Sequence, residues 1–533
     1  MTQRAQTAFD TYKATKRLHE YVQMAPNLSE NGVLTEERIG LYVKESCGFK
    51  LLYATERVNE QILDALKQLA TEANAIQWLN RMQAGDVINK IEGYPSESRT
   101  VLHTALRDQF ENPRSETPAK EAAALQKTEL EKLKAFSDSL DQERNWTDLL
   151  MIGIGGSYLG PEAAYEALSF LQKKGRRVHF VSNIDPDNLA GTLNGLNLAN
   201  TLVVVVSKSG TTLETLTNET IARARFTTAG LNPNDHFIAV TGKKSPMDDP
   251  SLYRNVFYLW DFVGGRYSTC SMVGGVPLAF AFGYEAFVEL LRGAHEMDQI
   301  AANHKVDENL PLLAALFGIW NRNFLGHSTL GVIPYSHPLH RFAAHLQQLD
   351  MESNGKQIDR SGHALSSQSG PIVWGEPGTC AQHSFFQLLH QGTTVVPIQF
   401  IGFKESQWKQ DMKVEGTTSQ EKLLANLFAQ AIALAVGKKD SNPNKEFKGN
   451  RPSSILLADS LTPRSFGALL SFFENKVAFQ GFIWNINSFD QEGVQLGKVL
   501  ATQLISRFKD ANTGEKGEKN PIGDAYLKHV RTI

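Results

Sequence analysis

The chain has 533 residues, 41% of them hydrophobic and 21% charged, with a formal charge of −3. This composition supports a large packed core and argues against global disorder, and at about 150 residues per domain it predicts two to four domains. The near-balance of charge gives no support for nucleic acid or an anionic membrane as a partner, but it leaves room for a small anion held by a local positive field.

No apolar stretch of ~7–15 residues follows the basic groups of the N-terminus, which argues against a secretory signal. The longest apolar runs, such as Leu202–Val206, are strand-sized and far short of the ~20 residues of a membrane span. Three widely spaced cysteines, Cys47, Cys270 and Cys380, fit a reducing compartment better than a disulfide framework.

The first hundred or so residues read mainly as helices, with Ser29–Gly32 and Pro95–Ser98 as loops between them. The chain turns polar around Asn112, and a helix rich in Ala, Glu and Lys follows to about Leu140. Short apolar runs then alternate with helical stretches. Strands are predicted at Leu149–Ile154, Val178–Val181, Leu202–Val206, Phe237–Val240 and Asn255–Trp260. After a helical passage near Leu310–Asn321 the pattern restarts, with strands at Leu330–Pro334, Pro371–Trp374, Thr394–Ile398 and Ser454–Leu457. Helices are expected at Leu339–Leu349, His383–His390, Gln420–Val436 and Pro463–Phe473. Strands that alternate with helices in this way predict an α/β class with parallel sheets flanked by helices. The Gly-, Lys-, Glu- and Asn-rich tail Asp510–Asn520 reads as an arm or surface loop, and Ala525–Ile533 as a segment able to dock on a neighbour.

The densest chemical signal is Ser207-Lys208-Ser209-Gly210-Thr211-Thr212, at the end of the valine-rich run and before a helix. Ligands of parallel sheets sit at the carboxyl ends of strands, where the following helix offers unpaired N–H groups and positive potential. An ordinary N-cap accounts for one hydroxyl; four hydroxyls and a lysine favour a phosphate. The order of residues is not that of a nucleotide P-loop, so a sugar phosphate fits better than a nucleoside triphosphate.

Gly153-Ile154-Gly155-Gly156-Ser157 is either a second turn facing phosphate or sugar, with Ser157 as its polar contact, or a bare tight turn. Tyr158 stands where a dinucleotide fingerprint needs glycine, which speaks against a nicotinamide dehydrogenase. Gly264-Gly265-Arg266 reads either as a surface turn or as a close backbone approach with an arginine for a developing oxyanion. Glu352, past a predicted helix, is either a surface glutamate or a general base. His337, His340 and His345 match no metal-ligand spacing and read as solvated or capping residues. His383 is expected in the first turn of its helix, where the positive end disfavours imidazolium and leaves a neutral ring able to exchange protons. Gln491 and Lys498, seven apart, share a face if one helix carries both.

Together Gly153–Ser157, Ser207–Thr215, Asp350–Lys356, Gly375–Gly392 and Asp490–Lys498, in this order, resemble the glucose-6-phosphate isomerase (phosphoglucose isomerase) family. The resemblance implies reversible aldose–ketose isomerisation of D-glucose 6-phosphate and D-fructose 6-phosphate in glycolysis and gluconeogenesis, in the cytoplasm, with no cofactor and no metal. It implies two sugar-isomerase (SIS-type) α/β domains with interleaved helical segments and a C-terminal arm. The expected divisions are 1–110 (helical segment), 111–285 (first domain), 286–509 (second domain) and 510–533 (arm). By the same resemblance Glu352, His383, Lys498 and Arg266 are catalytic. Gly156, Ser157, Ser207, Lys208, Ser209, Thr211, Thr212, Gly265 and Gln491 bind substrate or its phosphate. The family is homodimeric, with the histidine supplied across the dimer. This chain departs from the usual pattern at Tyr158, Cys270, Cys380 and Glu492, all neighbours of the matched residues. A related sugar-phosphate isomerase and a non-catalytic sugar-phosphate-binding protein are the alternatives.

Overall fold

The computed structural model describes residues 8–143, 146–513 and 520–530; part of the tail expected as an arm or loop, 514–519, and the end of the docking segment, 531–533, lie outside the described residues. The chain up to Ser488 forms one compact unit, and the chain from Phe489 onward forms another.

In the first unit, β1 (Val43–Ser46) and β2 (Phe49–Leu52) form a hairpin, and β3 (Val87–Asn89) and β4 (Arg99–Thr100) form a short antiparallel ribbon. Five parallel strands follow: β5 (Asp148–Ile152), β6 (Arg177–Val181), β7 (Thr201–Ser207), β8 (Phe237–Thr241) and β9 (Asn255–Tyr258), in the spatial order β6-β5-β7-β8-β9. β5, β7 and β8 are buried along their whole length, because helices cover both faces; this is why their sequences are unbroken apolar runs. The chain leaves β5 to one side for β6 and returns to the other for β7. The carboxyl ends of β5 and β7 therefore flank a topological switch point, the usual place for a ligand in an open α/β sheet.

The second sheet contains β10 (Thr329–Tyr335), β11 (Ile372–Trp374), β12 (Ile398–Phe403) and β13 (Ser453–Ala458), all parallel, in the order β1-β2-β13-β12-β10-β11. Its other edge is the hairpin β1–β2, antiparallel to β13, contributed by the segment that reads as mainly helical. β12 starts at Ile398 and not at Thr394. Pro397 has no N–H to give a ladder; its carbonyl accepts from Gly331 N at 2.9 Å, and the paired, fully buried residues run on to Phe403.

The helix expected at Pro463–Phe473 continues to Ile483 and is buried from Phe466 onward. Its second half carries Glu474, Asn475 and Lys476, whose polarity conceals its place in the core. Buried Arg107 joins this helix to Tyr284–Ala301, pairing with Asp298 and Glu474, each at 2.6 Å. The expected divisions at 285/286 and 509/510 fall inside helices, Tyr284–Ala301 and Gln495–Thr513.

The second unit contains a 3-10 turn, Glu492–Val494, the helix Gln495–Thr513 and the helix Pro521–Leu527; Arg507 Nε and Asp524 Oδ1, 2.8 Å apart, tie the two helices together. Among the described residues no helix is long and apolar enough to cross a membrane.

Candidate functional site

The hydroxyl-rich loop follows β7 and leads into the 16-residue helix Leu213–Thr228. Thr212 is the N-cap residue, yet its hydroxyl makes no cap bond. It pairs instead with Ser207 Oγ at 2.9 Å and closes the loop on itself. Ser209 Oγ accepts from Thr211 N at 3.2 Å and lies 2.9 Å from Thr211 Oγ1. Capping is therefore not the task of these hydroxyls, and Ser209 and Thr211 are exposed at the head of the helix. Gly210 sits at φ +65, and a Cβ there would lie 2.9 Å from Ser245 Oγ, so both the backbone and the space require glycine. Lys208 donates to the Val263 carbonyl at 3.0 Å. Burial, followed by the nearby Arg99, lowers its pKa; Asp261 and Glu97 oppose the shift.

The turn after β5 packs on the turn after β9. A Cβ on Gly156 would lie 2.2 Å from the Gly265 carbonyl, so backbone meets backbone. Ser268 Oγ donates to Gly265 O at 2.7 Å and to Gly156 O at 3.3 Å. Ser157 is half-buried at the end of this turn. Lys208 contacts the loop that carries Arg266, through Val263. The loops of three strands thus converge on one edge of the first sheet.

Arg266 is 1% exposed, so the surface-turn alternative does not describe it. Nε donates to Ser353 Oγ at 2.6 Å, Nη2 donates to the Ser488 carbonyl at 2.6 Å, and Nη1 lies 3.4 Å from Glu352 Oε2. Glu352 ends a π-helical segment, Gln347–Glu352. The predicted helix Leu339–Leu349 is thus a 3-10 turn, a short α-helix at Phe342–Leu346 and this π-turn. π-segments are rare and cluster at functional sites. The Glu352 side chain is 21% exposed, against 0% for the arginine, so a partly exposed carboxylate faces a buried cation.

Behind Arg266, the Tyr267 hydroxyl lies 3.0 Å from Ser353 Oγ, and its ring stacks on His103 with centroids 4.5 Å apart. Burial pushes the Tyr267 phenol up to about 12, with Arg266 opposing. Burial and the Arg107 charge hold His103 down at about 3. Tyr267, Ser353 and His103 are supporting residues that sequence reasoning missed. Ser353 lies inside a motif already singled out, but nothing local marks His103.

His383 is exposed and stands at the C-terminal end of the helix Gly378–Gln382, not in the first turn of a helix. Pro377 and Gly378 start that helix early, and a new one begins only at Phe386. The positive-end argument for a neutral ring therefore does not apply to His383. Its neighbour Gln382 donates to Tyr335 Oη at 2.9 Å. Gln491 has φ −148, outside helical space, and the α-helix begins at Gln495. Gln491 and Lys498 do not share one helical face, because the first turn is 3-10 and Gln491 precedes it.

His337 and His340 stack on each other near the surface, with centroids 5.3 Å apart, but His345 is buried. Neither ring nitrogen of His345 has a hydrogen-bond partner among the described residues. Burial holds its pKa down at about 4. This histidine is neither solvated nor capping. Among the described residues no group of three or more His, Cys, Asp or Glu side chains could hold a metal ion.

The phosphoglucose isomerase family pattern matches residues 52–520. The chain is 56% identical over 531 residues to the glucose-6-phosphate isomerase of Protochlamydia amoebophila (strain UWE25), covering 99% of this chain and 98% of that protein. It is 51% identical over 493 residues to the glucose-6-phosphate isomerase of Chlamydia caviae, covering 92% and 93%. The crystal structure of a glucose-6-phosphate isomerase from Chlamydia trachomatis superposes with a TM-score of 0.94 at 49% identity, covering 98% of this chain and 99% of that one.

Proposed function

This chain belongs to the phosphoglucose isomerase family, and on that premise we infer that it interconverts D-glucose 6-phosphate and D-fructose 6-phosphate, the isomerase step of glycolysis and gluconeogenesis. The observation that carries the roles of its residues is the pairing of partly exposed Glu352 with buried Arg266 at 3.4 Å, with Arg266 on the loop that Lys208 of the hydroxyl-rich turn reaches through the Val263 carbonyl.

The phosphate binds at Ser207, Lys208, Ser209, Thr211 and Thr212, with Gly156, Ser157, Gly265 and Gln491 contributing to the substrate contacts. Binding there is remote from the chemistry and orients the reacting carbons. His383 and Lys498 move protons between the ring oxygen and the anomeric hydroxyl, which opens the ring. Glu352 takes the proton from C2; the C1–C2 double bond forms, and the carbonyl oxygen on C1 is protonated. Loss of the proton from the C2 hydroxyl then makes the ketone, and Glu352 returns its proton to C1. One carboxylate serves both carbons because the intermediate is planar and both transfers occur on one face. Arg266 stabilises the oxyanion that grows between the two steps, which lowers the transition state more than the ground state.

The working unit is a homodimer in which each site takes His383 from the opposite subunit, and it acts in the cytoplasm; three free cysteines are in keeping with a reducing compartment.

A coupled assay of the purified chain on glucose 6-phosphate, beside mannose 6-phosphate, tests the activity. Turnover of glucose 6-phosphate is expected; binding without turnover would identify a sensor, and preference for the mannose substrate would identify a related isomerase. Mixing Glu352→Gln with His383→Ala chains tests the sharing. Random heterodimers hold one intact site, so activity returns to about a quarter of the unaltered level; no recovery after subunit exchange would refute a shared site.

A further inference from the structure

Glu352 and Arg266 face each other at 3.4 Å, longer than the ~2.7–2.9 Å of a tight charge-assisted hydrogen bond. This pair does not set its own spacing. The short contacts of the guanidinium lie elsewhere: Nε to Ser353 Oγ and Nη2 to the Ser488 carbonyl, both at 2.6 Å. Ser353 follows Glu352 directly, so the residue that holds the arginine is one peptide bond from the residue that faces it.

The contacts close a ring. Ser488, whose carbonyl takes Arg266 Nη2, donates from Oγ to Asn354 Oδ1 at 2.8 Å. Asn354 follows Ser353 in the chain, and its Nδ2 donates at 3.1 Å to the Val477 carbonyl on the helix Pro463–Ile483. On that helix a side chain at Gly481 would run into Ser488 Oγ, so glycine leaves the space that the ring occupies. Ser353 also meets the residue after the arginine, with Tyr267 Oη 3.0 Å from its Oγ. Arg266, Tyr267, Ser353, Asn354 and Ser488 are each at most 1% exposed.

Arginine Nε can only donate, so Ser353 Oγ accepts from it. Removing that oxygen leaves a buried N–H without its acceptor, and a guanidinium so released has an anion within reach, the Glu352 carboxylate. Closing on it would make a stronger ion pair and a poorer catalyst: an oxygen of the base would be occupied, and the cation would no longer be directed at the oxyanion. We propose that Ser353 is a positioning residue for the isomerisation: its buried hydroxyl holds Arg266 by Nε, so that the guanidinium stands beside the Glu352 carboxylate without closing on it. The assignment rests on the reading of Glu352 as the base and Arg266 as the oxyanion group.

Ser353→Ala, Arg266→Met and the double variant are compared with the unaltered chain by steady-state kinetics and urea unfolding. Ser353→Ala is expected to lower kcat about ten- to a hundredfold, with KM for the sugar phosphate within about threefold. In the Arg266→Met background the same change should cost less than about threefold, because the group it positions is gone. A serine that served the stability of the fold alone would lower the urea midpoint and leave kcat within about threefold of the unaltered chain, and that result would overturn the assignment. Costs that multiply in full in the double variant would also overturn it, since Ser353 would then act through something other than Arg266; so would a rise in KM matching the fall in kcat. Where Ser353→Ala does not fold, Ser353→Cys, close in size and a much weaker acceptor, is judged by the same criteria. Isomerase activity of the unaltered chain and its loss in Glu352→Gln are measured first. Failure of either refutes the underlying reading; with both in place, a normal kcat in Ser353→Ala refutes this assignment alone.

Discussion

Replacing Arg266 with lysine keeps the charge and removes the fork. In the folded chain Nε, Nη1 and Nη2 point three ways: to Ser353 Oγ at 2.6 Å, to Glu352 Oε2 at 3.4 Å and to the Ser488 carbonyl at 2.6 Å. One ammonium on a flexible stem cannot span those directions. At least one charge-assisted bond is lost, worth about 1.5–3 kcal/mol, and a buried acceptor is left without its donor. If the guanidinium is the oxyanion donor, its loss removes about 2.7–4 kcal/mol of transition-state stabilisation, or about a hundred- to thousandfold in kcat. The hydroxyl-rich loop is untouched, so KM should stay within about threefold. Steady-state turnover in both directions gives kcat and KM, and urea unfolding reads the stability cost separately. A kcat within about tenfold of the unaltered enzyme, or a loss confined to KM, would refute the role of Arg266 as a transition-state group.

Glu352→Gln keeps the shape and removes the proton acceptor, so turnover should fall about 10²–10⁴-fold. Calorimetric affinity for a non-isomerisable sugar phosphate should barely change; near-normal turnover would remove Glu352 as the base. Gly156→Ala places a Cβ 2.2 Å from the Gly265 carbonyl, where no flexible side chain can move aside. It should cost at least about 1–3 kcal/mol and most of the activity, and an unchanged melting curve would mean that the two turns do not touch. His345 is held at about 4, below its ordinary value of 6.5. The unfolded chain therefore binds the extra proton first: the contribution of the neutral ring is whole above pH 6.5 and is lost as pH falls toward 4. Relative to the unaltered chain, His345→Phe should gain stability between pH 7 and 4.5 by urea unfolding; a difference that does not change with pH would contradict this.

The parts of this protein legible in its sequence are those decided by nearby residues. β5, β7 and β8 read as strands because both faces are covered and the runs are continuously apolar. The loop after β7 reads as an anion site because its four hydroxyls, lysine and glycine are adjacent. The hairpin β1–β2 was illegible for the opposite reason. Lys44 and Glu45 on the edge strand β1, and Lys50 on β2, interrupt its apolar pattern, and its pairing with β13 is set some 400 residues away, Leu51 opposite Leu456. The burial of Arg266 was hidden in the same way, since an arginine after two glycines looks like a turn until Ser353 and Ser488 are brought to it. The π-turn leaves no mark in a pattern that fits an α-helix.

The polar triplet Glu474-Asn475-Lys476, charged at both ends, suggests how such cases could be found. Charges inside an otherwise apolar helix can mean that the helix ends, or that it continues into a core where each charge already has a partner. Here Glu474 has Arg107 at 2.6 Å. Two otherwise unexplained buried charges of opposite sign, far apart in sequence, are the strongest available hint that the segments carrying them meet. Glu474 and Arg107 form such a pair, 367 positions apart. A search from the misplaced charge toward its partner would therefore have joined this helix to the segment that carries Arg107, a contact that hydrophobic periodicity alone passes over.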